Sequence, residues 1–151
     1  MHKNIFEIDY EENKSATNKD LMAYFKSFNH YNSSDVDIES QDKEPKLISL
    51  VYKDNGKIVG RVYGEVDLNL GSCRTDGLFV DENARGTGAG KLLMTEMERI
   101  AIEEGCTVAF VDTSSSSAPK FYEMLGYSLI GTVDEYPVKN ETFYFYYKKL
   151  K

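Results

Sequence analysis

Cysteine and histidine are scarce in this chain of 151 residues, which contains two of each. Two lone cysteines, Cys73 and Cys106, make no disulfide framework in a chain of this length, and no C-x-x-C pair is present. A zinc site needs about four ligands, and two histidines with two scattered cysteines form no recognisable set. We therefore expect no metal, and we expect Cys106 to be a small buried apolar residue.

Long apolar runs and clustered positive charge are also missing. No run approaches the length of a membrane-spanning helix, and the first residues lack the apolar core of a signal peptide. The 18 Lys and Arg residues are outnumbered by 25 Asp and Glu residues, so the formal net charge is −7. Nucleic-acid binding needs clustered Lys and Arg and is disfavoured. We expect a cytoplasmic protein without a nucleic-acid or membrane partner. Its acidity serves solubility and mildly favours cationic ligands.

The length of the chain is that of one domain, which we expect to span residues 1–151. Hydrophobic periodicity and turn signals predict the following elements. Strands are expected at Lys3–Asp9, Lys46–Lys53, Lys57–Leu68, Cys73–Val80, Thr107–Thr113, Tyr127–Asp134 and Thr142–Leu150, and helices from Thr17 or Asn18 to Tyr31, after Gly90, and at Ser117–Leu125. This order predicts an α/β or α+β fold, with a mixed, mostly antiparallel sheet of six to seven strands and helices on both faces.

Two local patterns make the prediction more specific. Asn55-Gly56 between two β-rich runs is the strongest short-range hairpin signal and joins the first two strands of a meander. The strand Cys73–Val80, the following helix and the strand Thr107–Thr113 form a βαβ unit, so these two strands should be parallel neighbours. Gly105 is placed to follow the end of that helix.

A glycine-rich segment, Arg85-Gly86-Thr87-Gly88-Ala89-Gly90-Lys91, joins a predicted strand to a helix. Alternate glycines let a backbone come close to a ligand, and free amides at a helix N-terminus attract anions. A P-loop is excluded, because Arg85 stands where its first glycine belongs and Leu92 follows the lysine. The spacing of a dinucleotide-binding fingerprint is also absent.

The pattern R-x-x-G-x-G, from Arg85 to Gly90, resembles the acetyl-CoA-binding motif of the GNAT N-acetyltransferase superfamily. The segment Ala118–Tyr127 resembles the A-x-x-F-Y-x-x-x-G-F/Y motif of the same superfamily. One helix and one strand separate the two motifs, as the superfamily requires. The tail from Gly131 to Lys149 is similar to a bacterial subgroup of mostly uncharacterised members. The resemblance is strong from about Thr75 onward and weak before Lys46.

The resemblance implies that acetyl-CoA lies where the strands Cys73–Val80 and Thr107–Thr113 splay apart. The strand backbone would bond the pantetheine arm, and the amides of the glycine-rich turn would hold the pyrophosphate. Ser115 stands where many relatives have an Asn that contacts the cofactor. The expected cofactor-binding residues are Leu78, Val80, Arg85, Gly86, Thr87, Gly88, Ala89, Gly90, Lys91 and Ser115.

The resemblance also implies direct attack of an amine on the thioester. Tyr122 matches the family tyrosine that protonates the CoA sulfur, and the Val80 amide is expected to bond the oxyanion. Asp76 is our first candidate for the general base, because period-two counting places it on the strand face of Leu78 and Val80. A purely structural hydrogen bond is the alternative role for Asp76. Glu65 and Asp112 are the further candidates for the base.

Three functions remain open from the sequence. They are acetylation of a primary amine on a small molecule, with a cationic one favoured, acetylation of a protein or peptide amine, and non-catalytic acyl-CoA binding. The hairpin Lys46–Leu68 and the loop Asn32–Lys46 would form the acceptor site. Abundant tyrosines and nearby carboxylates would suit a cationic acceptor; the tyrosines are Tyr10, Tyr24, Tyr31, Tyr52 and Tyr63. A homodimer could form through the Tyr- and Phe-rich last strand.

Overall fold

The computed structural model describes residues 43–115 and 119–151. The predicted strand Lys3–Asp9, the helix ending at Tyr31 and most of the loop Asn32–Lys46 lie outside the described residues. The strands are β1 Lys46–Asp54, β2 Lys57–Asp67, β3 Ser72–Val80, β4 Val108–Ser114, β5 Ser128–Asp134 and β6 Thr142–Lys149, and the helices are α1 Ala89–Glu103 and α2 Pro119–Met124. A 3-10 turn, Glu82–Ala84, precedes α1.

The first three strands form the predicted antiparallel meander. The β1–β2 hairpin turns at Asn55 and Gly56, whose φ angles are 49° and 81°. A tight two-residue hairpin turn of this hand needs positive φ at both positions, which Asn and Gly tolerate best. The hairpin prediction is confirmed.

The six strands form one mixed sheet in the order β1-β2-β3-β4-β6-β5. β3 and β4 are parallel neighbours joined through α1, and the other neighbouring pairs are antiparallel. The predicted βαβ unit and the mostly antiparallel sheet are therefore confirmed. Gly105 follows α1 with a φ of 89°, a backbone conformation that favours glycine after a helix end.

The hydrophobic core lies between α1, α2 and one face of the sheet. Leu93, Met94 and Met97 of α1 are buried in one cluster with Tyr122 of α2 and Tyr146 of β6. Both described helices contribute to this cluster. The prediction of helices on both faces depends on the helix ending at Tyr31 and stays a prediction. No helix in the described part of the chain is both long enough and apolar enough to span a bilayer.

Candidate active site

The parallel strands β3 and β4 diverge in the middle of the sheet. They pair from Ser72 with Val108 to Thr75 with Val111, and no further. Beyond that point β3 stays on β2 and β4 stays on β6. The gap between them opens into a cleft of about 970 Å³, which the glycine-rich turn, α2 and the β5–β6 connection also line.

The edge of β3 that faces this gap has backbone groups without a strand partner. The Asp81 amide donates to the Val59 carbonyl of β2, at 2.8 Å. Since successive residues of an antiparallel ladder point their N–H groups to opposite edges, the backbone groups of Leu78 and Val80 point away from β2. They therefore face the cleft, which both residues line. The Val80 carbonyl accepts a hydrogen bond from Arg85 Nε at 3.2 Å.

The glycine-rich turn places the N-terminus of α1 at one end of the cleft. Gly88 is the N-cap residue with a φ of 86°, no side chain caps the helix, and its first turn has no acidic residue. The first amides of α1 therefore keep their hydrogen-bonding capacity. A Cβ atom on Gly86 or Gly88 would meet no atom within 4 Å, so the space beside both glycines is open. Lys91 adds positive charge to the same wall of the cleft.

The other residues of the turn differ in whether they line the cleft. The Thr87 hydroxyl donates to the Ala84 carbonyl, and Thr87 is not among the residues that line the cleft. Ala89 lines the cleft and is 1% exposed. A Cβ atom on Gly90 would lie 3.2 Å from Cζ of Phe121, so the start of α1 packs closely against α2.

Tyr122 projects from α2 into the same cleft and is 7% exposed. Its ring packs edge-on against Phe121 and Tyr127, with centroids 5.2 and 5.9 Å away. No described residue forms a hydrogen bond with its hydroxyl. Burial, followed by the negative charge of Asp112, raises the pKa of Tyr122 to about 12. The phenol is therefore protonated at neutral pH and can act as a hydrogen-bond donor in the cleft.

A β-bulge changes the position that we expected for Asp76. Tyr63 pairs with Gly77, whereas the next residue, Gly64, pairs with Thr75, so Asp76 is the extra residue of β3. A bulge shifts the alternation of side chains by one. Asp76 lies on the side of Arg74, whose Nε donates to Oδ1 of Asp76 at 2.8 Å. The expectation that Asp76 shares a face with Leu78 and Val80 was wrong for this reason.

Arg74 gathers the candidate carboxylates on the sheet face opposite α1. Its guanidinium lies 3.2 Å from Oε1 of Glu65 and 2.8 Å from Oδ1 of Asp76. Asp112 lies across the gap on β4. Burial raises the pKa of Asp112, the positive charge of Arg74 lowers it and the negative charge of Asp76 raises it, with a net upward shift.

Ser115 is bonded to the start of β6. Its hydroxyl donates to Glu141 Oε2 at 2.8 Å and accepts from the Thr142 amide at 3.1 Å. It is not among the residues that line the cleft. A contact between this hydroxyl and a cofactor would require these bonds to be exchanged.

Sequence reasoning missed several residues of the cleft. Arg74 was not singled out, although it pairs with two candidate bases. Apolar lining residues that we did not predict come from five separate segments, namely Phe79, Val111, Met124, Pro137 and Phe143. The alternation of β4, which places Val111 and Thr113 on one face, gave a sequence signal for Val111.

The described residues contain no group of three or more His, Cys, Asp or Glu side chains that could hold a metal ion. The cleft combines three features, namely the start of α1 with free amides, the edge of β3 without a strand partner and the phenol of Tyr122. Residues 7–127 match the model of the acetyltransferase (GNAT) family. This chain belongs to the GNAT acetyltransferase family.

Similar proteins agree with the GNAT fold. An acetyltransferase from Bacillus cereus ATCC 14579 is 32% identical, with a TM-score of 0.69 over 93% of this chain and 98% of its own. Blasticidin-S acetyltransferase from Streptomyces morookaense is 36% identical over 85 residues, which cover 56% of this chain. The match spans 61% of the length of that protein.

A third comparison concerns the fold alone. A structure of aminoglycoside 6′-N-acetyltransferase complexed with coenzyme A is 16% identical and has a TM-score of 0.62. It covers 86% of this chain, and 87% of its own chain is matched. The GNAT architecture of the described residues is thus shared with a protein that has been solved with coenzyme A.

Proposed function

We propose that this protein transfers the acetyl group of acetyl-CoA to a primary amine, and that the acceptor is a small cationic molecule. The observation that carries the proposal is the meeting of three features in one cleft. They are the unpaired edge of β3, the uncapped start of α1 at Gly88 and the phenol of Tyr122. Each suits a different part of acetyl-CoA and its reaction.

The cofactor would use backbone groups more than side chains. The amides of pantetheine can pair with the backbone of Leu78 and Val80 as a further strand would. The pyrophosphate fits the amides of the turn at Gly86 to Lys91, where the helix dipole favours negative charge. Arg85 and Lys91 add attraction for the phosphates. The space beside Gly86 and Gly88 supports this placement, because a Cβ atom at either position would project into the room that the ligand needs.

The reaction needs one bond to form and one to break. The neutral amine nitrogen attacks the thioester carbonyl carbon, the C–N bond forms, and the C–S bond then breaks. The Val80 amide would stabilise the charge on the carbonyl oxygen. Alignment of the two substrates in the cleft supplies a large part of the rate. The products are the N-acetyl amide and coenzyme A.

Tyr122 would donate its proton, or a strong hydrogen bond, to the departing sulfur. A phenol with a pKa of about 12 is a weaker acid than an exposed thiol, whose pKa is about 8.5. Burial raises the pKa of thiols as well; in this protein it raises the pKa of Cys73 to about 12. A coenzyme A sulfur held beside Tyr122 would therefore be closer in pKa to the phenol than an exposed thiol is.

A carboxylate near the point where β3 and β4 diverge would accept the proton that the amine loses. Asp76 is the candidate from the sequence, but it is ion-paired with Arg74. Asp112 lines the cleft and its charge acts on Tyr122. Its raised pKa makes it a stronger base, once it is ionised, than a carboxylate of ordinary pKa. These observations favour Asp112, and Asp76 remains the second candidate.

The proposal is tested by measuring the release of free thiol from acetyl-CoA. The purified chain is mixed with acetyl-CoA and, in separate reactions, with polyamines, aminoglycosides, amino acids and peptides. We expect thiol release that depends on the amine, with the acetylated amine detected by mass spectrometry. If acetyl-CoA binds but no amine gives turnover, the protein is an acyl-CoA-binding module. Turnover confined to peptides would instead support acetylation of protein amines.

A further inference from the structure

A tyrosine on β2 reaches across β3 toward the cleft. Tyr63 pairs with Gly77 in the β2–β3 ladder. A Cβ atom on Gly77 would lie 2.3 Å from Cε1, 2.5 Å from Cζ and 2.6 Å from the hydroxyl oxygen of Tyr63. The far end of the phenol therefore rests on Gly77, where any other residue would displace it. The ring extends from its own strand toward the gap between β3 and β4.

The ring of Tyr63 is available to a ligand. Tyr63 is 50% exposed, and no described residue forms a hydrogen bond with its hydroxyl. It lies beside Gly77, which lines the cleft. Exposed aromatic rings of this kind bind cations through the face of the ring.

The charges around Tyr63 have the sign that a cation requires. Glu65 lies two residues further along β2 on the same face as Tyr63, and Asp76 lies next to Gly77. With Asp112, three carboxylates surround the single guanidinium of Arg74. Three negative charges and one positive charge leave a net charge of −2 in this cluster. Arg74 therefore neutralises only part of it.

An independent feature shows that the same cleft is built for a ligand. Tyr122 is 7% exposed and lines the cleft, yet its hydroxyl has no partner among the described residues. No fully buried polar side-chain atom among the described residues lacks a hydrogen-bond partner, so the unpartnered Tyr122 hydroxyl is accessible from the cleft. The acidic cluster thus lies on the rim of a cleft in which a hydrogen-bond donor is open to a ligand.

We propose that the acceptor carries a second cationic group besides the amine that is acetylated, and that this second group binds between Tyr63, Glu65 and Asp76. The inference rests on the proposed function and names the acceptor class, a diamine or polyamine. The reacting amine must be neutral when it attacks, and close carboxylates would keep it protonated. Glu65 and Asp76 therefore suit a cation that stays charged, while Asp112 across the gap remains free to take the proton.

The test is a series of amines that differ in charge. Initial rates of thiol release are measured with propylamine, 1,3-diaminopropane and spermidine, whose amines are largely protonated near pH 8. We expect KM to be about tenfold lower for the two multiply charged amines than for propylamine. Equal KM values across the series would overturn the inference.

Two variants address the ring itself. Tyr63→Ala removes it, and Gly77→Ala forces it to move. Each should raise KM for 1,3-diaminopropane about fivefold to tenfold, and this increase should exceed the change in KM for propylamine. The Kd of acetyl-CoA should be unchanged in Tyr63→Ala. The double variant should be no worse than Tyr63→Ala alone, because both changes remove the same contact.

Matched controls are available in the same sheet. Gly131→Ala adds a Cβ atom that meets nothing within 4 Å, and Tyr147→Ala removes a tyrosine of β6 that does not line the cleft. Neither should change KM for the diamine. If Gly77→Ala does not fold, Tyr63→Ala alone decides, and an unchanged diamine KM would contradict the inference. If propylamine is acetylated and Tyr63→Ala leaves the diamine KM unchanged, only this inference is refuted. If no amine is acetylated, the proposed function is refuted as well.

Discussion

At the scale of single residues, Tyr122 is the group whose chemistry the proposed reaction uses most directly. Tyr122→Phe keeps the ring contacts with Phe121 and Tyr127 and removes only the hydroxyl. We expect kcat to fall about 100-fold, within the usual range for loss of a general acid. The Kd of acetyl-CoA, measured by calorimetry, should change less than about twofold. An unchanged kcat would remove Tyr122 from the mechanism.

The pH dependence of the reaction separates the two candidate bases. A base must be ionised to accept a proton, so kcat/KM should rise as the pH passes the pKa of that group. Because the pKa of Asp112 is raised, the rise in kcat/KM should occur at a pH above the ordinary pKa range of aspartate if Asp112 is the base. Asp112→Asn should lower kcat and abolish this rise, whereas Asp76→Asn should keep it and mainly raise KM for a diamine. The reverse outcome, with the rise lost in Asp76→Asn, would make Asp76 the base.

At the scale of elements, a partly buried ion pair joins α1 to β6. Lys148 Nζ lies 2.9 Å from Glu98 Oε2, and the side chains are 27% and 14% exposed. The Tyr127 hydroxyl donates to Glu98 Oε1 at 3.0 Å. Tyr127 is in turn one of the rings against Tyr122. This network therefore connects the packing of α1 to the position of the phenol in the cleft.

Removing the charge of Glu98 should cost stability because Lys148 would keep a charge that is partly buried. We expect Glu98→Gln to lower the free energy of unfolding by about 2 kcal/mol, measured by urea denaturation. The control is Glu96→Gln on the same helix, where the ion pair with Arg99 is solvent-exposed. That variant should be nearly neutral. Equal losses in the two variants would show that the Glu98 network has no special role.

The sequence predicted those elements whose signals are local. Asn55-Gly56 predicted the hairpin because the turn depends only on the backbone conformation of these two residues. The glycines from Gly86 to Gly90 predicted the glycine-rich turn for the same reason. The bulge at Asp76 was missed because it depends on a residue of the opposite strand. A Cβ atom on Gly64 would lie 2.1 Å from the Arg74 carbonyl oxygen. Glycines inside strands often mark such irregularities, so Gly64 and Gly77 were the signal that could have revealed it.

The cleft itself was only partly predictable for a related reason. Motif spacing placed Tyr122 and the turn, because a βαβ unit has few allowed arrangements. The walls formed by Met124, Pro137 and Phe143 come from segments far apart in the sequence. The pairing of Ser115 with Glu141 is also a long-range contact, between the end of β4 and the start of β6. No local pattern specifies these contacts.

At the scale of the whole molecule, the proposed function requires opposite charge preferences at the two ends of one cleft. The start of α1, with Arg85 and Lys91, would attract the phosphates of the cofactor. The acidic rim near Asp76 would attract a cationic acceptor, in a chain whose formal net charge is −7. Binding of the cofactor at the glycine-rich turn is the claim on which the rest depends.

Calorimetric titration of acetyl-CoA into the wild type and Gly88→Val tests this claim most directly. The open space at Gly88 would receive the valine side chain, and a φ of 86° disfavours a β-branched residue. Gly88→Ala is a smaller change at the same position, to be used if Gly88→Val does not fold. Gly131→Val on β5 is the control, and unfolding curves are recorded for all variants. We expect acetyl-CoA affinity to be at least about 100-fold weaker in folded Gly88→Val, a loss of about 2.7 kcal/mol, and to be unchanged in Gly131→Val. Undiminished affinity in folded Gly88→Val would contradict this claim.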